Sequence, residues 1–122
     1  MQGIVYILTN KNKTTLYIGV TSNLKRRLAE HKLHLNKGFS DTYNTECLVF
    51  YEIHDRVVDA INRETCLKRW KREWKDNLIR EFNPTWTDLS EEIGVNEAYL
   101  KDIKEAYDAG VLWKEQKVAG QR

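Results

Sequence analysis

The sequence is poor in proline and cysteine and has no long hydrophobic run, with one Pro and two Cys in 122 residues. Cys47 and Cys66 form no CxxC pair and no zinc-ligand set, so their spacing predicts two ordinary thiols in a reduced compartment. No apolar stretch approaches the ~20 residues that a membrane-spanning helix needs. Residues 1–5 lack the charged and apolar regions of a signal peptide. These absences predict a cytoplasmic protein without a membrane partner.

The chain does have enough apolar sequence for a core, and its charge is unevenly distributed. Hydrophobic residues make up 41% and aromatic residues 11% of the sequence, which is typical of a folded domain and argues against disorder. Residues 1–86 carry 15 Lys and Arg against 10 Asp and Glu, whereas residues 87–122 carry 5 against 8. A polyanion binds to basic surface, so the first segment is where we expect a nucleic acid, and the acidic second segment would repel one.

Two strands joined by a polar turn open the chain. Residues 4–10 and 14–20 are rich in the β-branched and aromatic side chains that favour strands, and residues 11–13 form the turn between them. Tyr6 and Tyr17 would then stand on paired strands of a β-hairpin. The register stays open, because a slip of one residue turns every side chain to the other face of the sheet.

Helical spacing follows the hairpin. Ser22 is a good N-cap for a helix that runs to about Leu35, and Arg27 and His31, four residues apart, project from one face of it. After this helix, the sequence predicts a loop over 36–45 and a strand over 46–53. A long helix is then predicted over about 57–82, capped by Asp55 or Asp59 and ended by Asn83-Pro84. A last helix is predicted over about 97–109, capped by Asn96 and closed by Gly110.

The long predicted helix has an apolar stripe and a charged face beside it. Apolar residues at helical spacing predict core packing for Leu67, Trp70, Trp74 and Leu78. At ~100° per residue, an adjoining face carries one carboxylate and three ammonium groups, namely Glu64, Lys68, Lys71 and Lys75. This face is either a solvated surface, with an i,i+4 pair worth about 0.2–0.5 kcal/mol, or a track that leads a phosphate backbone to a metal ion.

Five side chains could together cleave a phosphodiester: Tyr6, Tyr17, Arg27, His31 and Glu64. This reaction needs a nucleophilic water, stabilisation of charge on the phosphate and help for the leaving oxygen. Arg27 suits the phosphate because its guanidinium is a planar, permanently charged fork. Glu64 suits Mg²⁺, which keeps several waters and usually takes only one or two protein carboxylates.

The general base is either Tyr17 or His31. An unperturbed tyrosine has a pKa near ~10 and is a poor base at neutral pH, so Tyr17 would need a nearby cation to favour its phenolate. His31 needs no such help, because an unperturbed histidine has a pKa near ~6.5. The residues alone leave both alternatives open.

The order and spacing of these residues resemble the GIY-YIG endonuclease domain. The first motif is Val5-Tyr6-Ile7, and the second is Tyr17-Ile18-Gly19. After them come the helix-borne Arg27 and His31, the helix-borne Glu64, and Asn83 before Pro84. The resemblance covers about residues 1–86, and the whole is similar to small stand-alone bacterial members. Val5 stands where the motif name has isoleucine.

The resemblance implies a small α/β (α+β) nuclease domain over 1–86, in which helices flank a three-stranded antiparallel sheet. Residues 87–122 would be a helical extension that packs on the domain or recruits a protein partner. One divalent cation, Mg²⁺ or Mn²⁺, would bind Glu64, and Arg27 would contact the scissile phosphate. Tyr17 would be the favoured base, with Tyr6 and His31 in support. Further contacts with nucleic acid are expected at Gly19, Lys25, Arg26, Lys68, Lys71, Lys75 and Asn83.

The sequence therefore predicts a metal-dependent endonuclease that cuts structured or damaged DNA with low sequence specificity, as in DNA repair. By resemblance, the products would carry 5′-phosphate and 3′-hydroxyl ends. One alternative is a non-catalytic nucleic-acid-binding module that keeps the fold. Another is a subunit that recruits a partner through Leu100 and Ile103 of its last helix. Trp70 and Trp74 are predicted to pack in the core rather than to stack on bases.

Overall fold

One antiparallel sheet with helices on both faces forms the part of the chain that the computed structural model describes, which is residues 1–35, 38 and 42–110. The strands are β1 (Gly3–Thr9), β2 (Leu16–Thr21) and β3 (Cys47–His54), in the order β2-β1-β3. The helices of these described residues are α1 (Leu24–Lys32), α2 (Val57–Arg69), α3 (Arg72–Phe82) and α4 (Glu97–Asp108). This architecture confirms the predicted α+β class with a three-stranded antiparallel sheet.

The alternation of side chains along β1 divides the core between the two faces of the sheet. Val5 and Ile7 point to a first face, where they pack with residues of α2 and α3 such as Leu67 and Ile79. Tyr6 and Leu8 point to a second face. That face is covered by residues of α1 and of the C-terminal segment, namely Leu24, Leu28, Leu89, Ile93, Val95, Tyr99 and Leu100. The C-terminal segment, here the part from Leu89 to Leu100, is thus packed against the sheet.

The hairpin is confirmed, and its register is now defined. β1 and β2 pair so that Tyr6 lies opposite Gly19 and Leu8 lies opposite Tyr17. Because partners across an antiparallel pair share a face, both tyrosines point to the second face. The backbone pairing therefore places them on the side of the sheet that α1 covers.

The first helix starts one residue later than predicted. Asn23, not Ser22, is the N-cap, and its Oδ1 accepts a hydrogen bond from the Arg26 backbone N–H at 3.1 Å. The Thr21 hydroxyl accepts from the backbone N–H of Asn23 at 3.0 Å, which fixes the turn before the helix. The helix ends at Lys32, and the predicted loop over 36–45 lies partly outside the described residues.

The single helix predicted over 57–82 is wrong, because Trp70 and Lys71 adopt extended backbone conformations between α2 and α3. A straight helix of that length would run for ~39 Å, whereas a seven-residue strand spans only ~23 Å. The break turns the chain back, so that Ile79 is buried and the Phe82 ring lies 5.1 Å from that of Phe50. Neither predicted aspartate caps α2, whose N-cap is Arg56 without a side-chain cap bond.

The break also changes the two faces predicted for that helix. Trp74 is 49% exposed, so its predicted place in a core stripe is wrong, whereas Trp70 is half-buried against the first-face cluster. Lys71 and Lys75 no longer continue the helical row that starts at Glu64. The charged face is therefore split between two elements.

The end of the described chain follows the prediction closely. Asn96 caps α4 through a hydrogen bond from the Tyr99 backbone N–H to its Oδ1 at 2.9 Å, and Gly110 has a φ of +73° just beyond the helix. Ile103 is buried and Leu100 packs against the second-face cluster. Within the described residues, no helix has the length and apolar character needed to cross a bilayer.

Candidate active site

Tyr6 lies at the centre of a cluster of polar side chains on the second face. Its ring is fully buried, and its hydroxyl lies 3.2 Å from Nε2 of His31. The positive charge of the Arg27 guanidinium also acts on this hydroxyl. Burial, and then the neighbouring phenol of Tyr17, raise the pKa of Tyr6 well above its ordinary 10 despite Arg27. Tyr6 therefore stays protonated and can donate its hydroxyl proton to His31.

Gly19 makes room for the Tyr6 ring. A Cβ atom at this position would lie 2.5 Å from both the Cζ and the hydroxyl oxygen of Tyr6. Tyr6 is the cross-strand partner of Gly19, so any side chain there would meet the phenol directly. Gly19 was expected to allow a nucleic acid to approach the backbone; in the structure, the group that lies close to it is Tyr6.

Replacing Gly19 with alanine is expected to lower the free energy of unfolding by about 1–3 kcal/mol, because the buried phenol must move. The same shift would separate the Tyr6 hydroxyl from His31. Urea unfolding followed by tryptophan fluorescence measures the first effect. Ile18→Val, in the same strand, is the control and should cost about 0.5–1.5 kcal/mol without disturbing Tyr6. A Gly19→Ala protein as stable as wild type would contradict this packing role.

His31 joins the two tyrosines. Its ring centroid lies 5.9 Å from that of Tyr6 and 5.1 Å from that of Tyr17. Burial first, and then the positive charges of Arg27 and His34, lower the pKa of His31 from 6.5 to about 4. The imidazole is therefore neutral at pH 7. A neutral ring with Nε2 as the acceptor leaves its proton on Nδ1.

The lowered pKa of His31 predicts a loss of stability in mild acid. Between pH 4 and 6.5 the unfolded chain binds a proton at His31 that the folded chain does not. The contribution of His31 to stability is therefore fully present above pH 6.5 and decreases by roughly 3 kcal/mol as the pH falls to 4. Urea unfolding at pH 7.0, 5.5 and 4.5 measures this slope. His31→Gln should show a shallower slope, and equal slopes in both proteins would refute the assignment.

Arg27 is held in this cluster by a residue that the sequence patterns did not single out. The Arg27 side chain is 12% exposed, and its Nε lies 3.4 Å from Oε1 of Glu30. Glu30 is only 2% exposed. A carboxylate three residues after the arginine is the signal that could have indicated it, since residues i and i+3 of a helix are neighbours.

The other basic residues expected to contact nucleic acid lie outside this cluster. Lys25 has its Nζ 4.6 Å from the centre of the Tyr99 ring, so it contacts the C-terminal helix. Lys71 lies over the Trp74 ring at 5.5 Å. Arg26 and Lys75 are half-buried on α1 and α3.

Asn83 has a different environment from the one expected. It is the C-cap of α3 and is buried. Its amide nitrogen donates to the carbonyl oxygens of Val49 and Thr87, and its amide oxygen accepts from the Thr87 backbone N–H. Both amide hydrogens are thus donated within the protein. This geometry fits a fold-stabilising role, and the contact of Asn83 with nucleic acid stays a prediction.

Glu64 lies on the opposite side of the sheet from the tyrosine cluster. It lies on α2, which covers the first face, and it is 4% exposed. Its Oε2 is 3.3 Å from Nζ of Lys68. The structure therefore brings Tyr6, Tyr17 and the α1 residues together, and places Glu64 on a separate element beside a lysine.

The donor set for a metal ion is small. No group of three or more His, Cys, Asp or Glu suited to a metal occurs in the part of the chain that the structure describes. A single carboxylate at Glu64 fits Mg²⁺ or Mn²⁺ only where water and substrate oxygens complete the coordination. Lys68, with its ammonium beside that carboxylate, is placed to contact a phosphate that such an ion binds.

A family model and two UPF0213 proteins match parts of this chain. The family model described as the GIY-YIG catalytic domain matches residues 2–77. The chain is 31% identical over 77 residues to a UPF0213 protein of Staphylococcus haemolyticus, covering 63% of this chain and 93% of that protein. It is also similar to the solution NMR structure of a UPF0213 protein of Bacillus halodurans, with a TM-score of 0.43 and 20% identity over 83% of this chain and 94% of the other.

Proposed function

This chain belongs to the GIY-YIG family of nuclease catalytic domains, and from that membership we propose that it is a metal-dependent endonuclease acting on DNA. The observation that carries the proposal is the cluster of Tyr6, Tyr17 and His31, on which the positive charge of Arg27 acts at both Tyr6 and His31. A fixed cation beside groups that hold and donate protons suits a reaction in which charge develops on a phosphate. All of these residues, and Glu64, lie within the matched range 2–77.

In this proposal Arg27 binds the scissile phosphate. Its side chain is largely buried, so the low local dielectric strengthens its attraction for an anion. The guanidinium can donate two parallel hydrogen bonds to two phosphate oxygens. Its positive charge acts on both the Tyr6 phenol and the His31 imidazole of the aromatic cluster.

Of the two candidate bases, Tyr17 fits the attacking water better. Nε2 of His31 is already engaged by the Tyr6 hydroxyl at 3.2 Å, and this is the ring nitrogen that faces the cluster. A pKa of about 4 also makes His31 a weak base at neutral pH. Tyr17 is half-buried, with its ring 6.3 Å from that of Tyr6. We therefore assign to Tyr17 the role of general base for the attacking water. Tyr6 and His31 would hold Tyr17 in place.

Glu64 would hold the divalent cation, Mg²⁺ or Mn²⁺. Such an ion, when bound, neutralises developing charge on the phosphate and the leaving oxygen. Lys68, Lys71 and Lys75, with Arg26, would contact neighbouring phosphates. Contacts of this kind position the backbone without reading the base sequence, so low sequence specificity is expected.

The proposed substrate is structured or damaged DNA in the cytoplasm, in a repair role. The test is cleavage of labelled linear, forked and junction DNA with Mg²⁺, Mn²⁺ or EDTA, with binding measured on the same samples. We expect metal-dependent nicks that are most frequent near the fork or junction. Binding to all three substrates without a nick in either metal would favour the binding-module alternative.

The two residues through which the last helix was predicted to recruit a partner are not free for a simple test of that role. Leu100 packs on the second-face cluster and Ile103 is buried. Substituting either residue is therefore expected to destabilise the fold and not only to weaken an association. An exposed residue of α4, such as Lys101 or Glu105, is the better site for testing a protein partner.

A further inference from the structure

Glu30 is a buried charged residue to which the proposed reaction gives no role. Its carboxylate is 2% exposed and faces Arg27, with Oε1 3.4 Å from Nε of the guanidinium. Burying a carboxylate costs several kcal/mol, and a nearby buried cation offsets much of that cost. The two residues lie on the same helix, so their contact does not depend on a mobile loop.

Glu30 lies near Nε, the inner nitrogen of the Arg27 guanidinium. Arginine presents one N–H at Nε and four at its terminal nitrogens, and the terminal pair forms the end-on fork for an oxyanion. The Nε–Oε1 distance of 3.4 Å is an ion-pair contact and not a hydrogen bond, so Glu30 would restrain the group through its charge. A free arginine side chain carries about 2 kcal/mol of rotamer entropy, so such a restraint favours the geometry that grips a phosphate.

Helix α4 packs against α1, the helix that carries this ion pair. Tyr99 of α4 packs in the second-face cluster together with Leu24 and Leu28 of α1. The Lys25 ammonium lies 4.6 Å from the Tyr99 ring centre and close to Gly94, where a Cβ atom would come within 3.0 Å of it. These contacts join α4 to the helix that carries Glu30.

The electrostatics of Tyr99 agree with this placement. Burial raises the pKa of its phenol, and the negative charge of Glu30 raises it further while Arg26 opposes the rise. The Glu30 carboxylate is therefore within electrostatic reach of the Tyr99 ring. α4 lies beyond residues 2–77, which the family model matches, so this cover is an addition to the shared catalytic domain.

We propose that Glu30 is a positioning residue that fixes the guanidinium of Arg27, and that Tyr99 of the C-terminal helix shields this ion pair from water. The benefit to phosphate binding rests on the proposed nuclease function, whereas the ion pair and its cover do not. The C-terminal segment then contributes to the active site although it contains none of the catalytic residues.

Hydrogen exchange at the Arg27 side chain tests the ion pair independently of cleavage. The Arg27 Nε–H resonance is identified in ¹H–¹⁵N spectra by its absence from Arg27→Lys. In wild type we expect exchange at least about tenfold slower than at exposed arginines. Glu30→Gln should abolish this protection, and Tyr99→Ala should reduce it, whereas Lys101→Ala, on the exposed side of α4, should leave it unchanged. Equal exchange in wild type and Glu30→Gln would overturn the proposal.

A double-mutant cycle tests the consequence for cleavage. Glu30→Gln should lower the single-turnover cleavage rate about 10- to 100-fold with little change in DNA affinity. The same substitution should have almost no effect in an Arg27→Lys background, because it acts through Arg27. Additive losses in the double variant would overturn the positioning role. A wild-type protein that never cleaves would defeat the nuclease function, and the exchange experiment would still decide whether Glu30 and Tyr99 hold Arg27.

Discussion

Arg27→Ala is expected to reduce the single-turnover rate of DNA cleavage by about 10³-fold, the upper range for removing one donor to developing negative charge. The charge of the guanidinium acts on both Tyr6 and the neutral His31, so its loss removes the fixed cation of the cluster. Arg27→Lys keeps the charge but loses the planar fork. We expect it to remain at least about tenfold slower than wild type. Quenched-flow assays with labelled oligonucleotides measure both variants.

The Arg27→Ala experiment needs a control that separates a loss of cleavage chemistry from a loss of folded protein. Arg27→Ala leaves the buried Glu30 charge without this partner, and removing one member of a buried pair costs about 3–5 kcal/mol. Cleavage is therefore compared at a temperature where circular dichroism shows each variant to be folded. Arg80→Ala, an exposed arginine on α3, should cleave like wild type. If folded Arg27→Ala cuts within threefold of wild type, Arg27 does not bind the scissile phosphate.

Glu64→Gln is expected to reduce cleavage by about 10³-fold or more, because the amide keeps the shape of the side chain but not the charge that a divalent cation requires. A bound cation supplies several kcal/mol of charge stabilisation in the transition state, and each 1.36 kcal/mol corresponds to a factor of about ten in rate. The position suits this role, since the carboxylate is 4% exposed beside Lys68.

A second measurement on Glu64 does not depend on cleavage. With a nuclease-resistant DNA analogue bound, Mn²⁺ should raise the melting temperature of the wild-type protein and should not raise that of Glu64→Gln. Glu73→Gln, an exposed carboxylate of α3, serves as the matched control and should respond like wild type. An equal Mn²⁺ response in Glu64→Gln and wild type would mean that the metal binds elsewhere.

The hairpin and the first helix could be predicted because their signals are local. β-branched and aromatic residues on either side of a polar turn predicted β1 and β2, and the structure confirms them within one or two residues. The break at Trp70 and Lys71 was missed because neither proline nor glycine marks it. An unbroken helix would be longer than the sheet that it covers, and this mismatch is set by the tertiary structure and not by the local sequence. The exposure of Trp74 is a consequence of that break.

The site was only partly accessible to sequence reasoning for similar reasons. Helical spacing put Arg27 and His31 on one face, and the structure brings both to the tyrosines. Glu30 was missed because a carboxylate among charged neighbours is usually solvated, whereas here it is 2% exposed. The space that Gly19 leaves for Tyr6 depends on the strand register, which the sequence pattern leaves open.

The most direct test of the nuclease function is a metal add-back time course on a single sample. EDTA-treated wild-type protein is mixed with a 5′-labelled oligonucleotide, the bound fraction is measured, and Mg²⁺ is then added in excess. We expect intact DNA before the addition and shorter labelled products after it, with new 3′-hydroxyl ends that a polymerase extends. DNA that is bound yet stays intact in both Mg²⁺ and Mn²⁺ would contradict the proposed function and favour a binding module that keeps the nuclease fold.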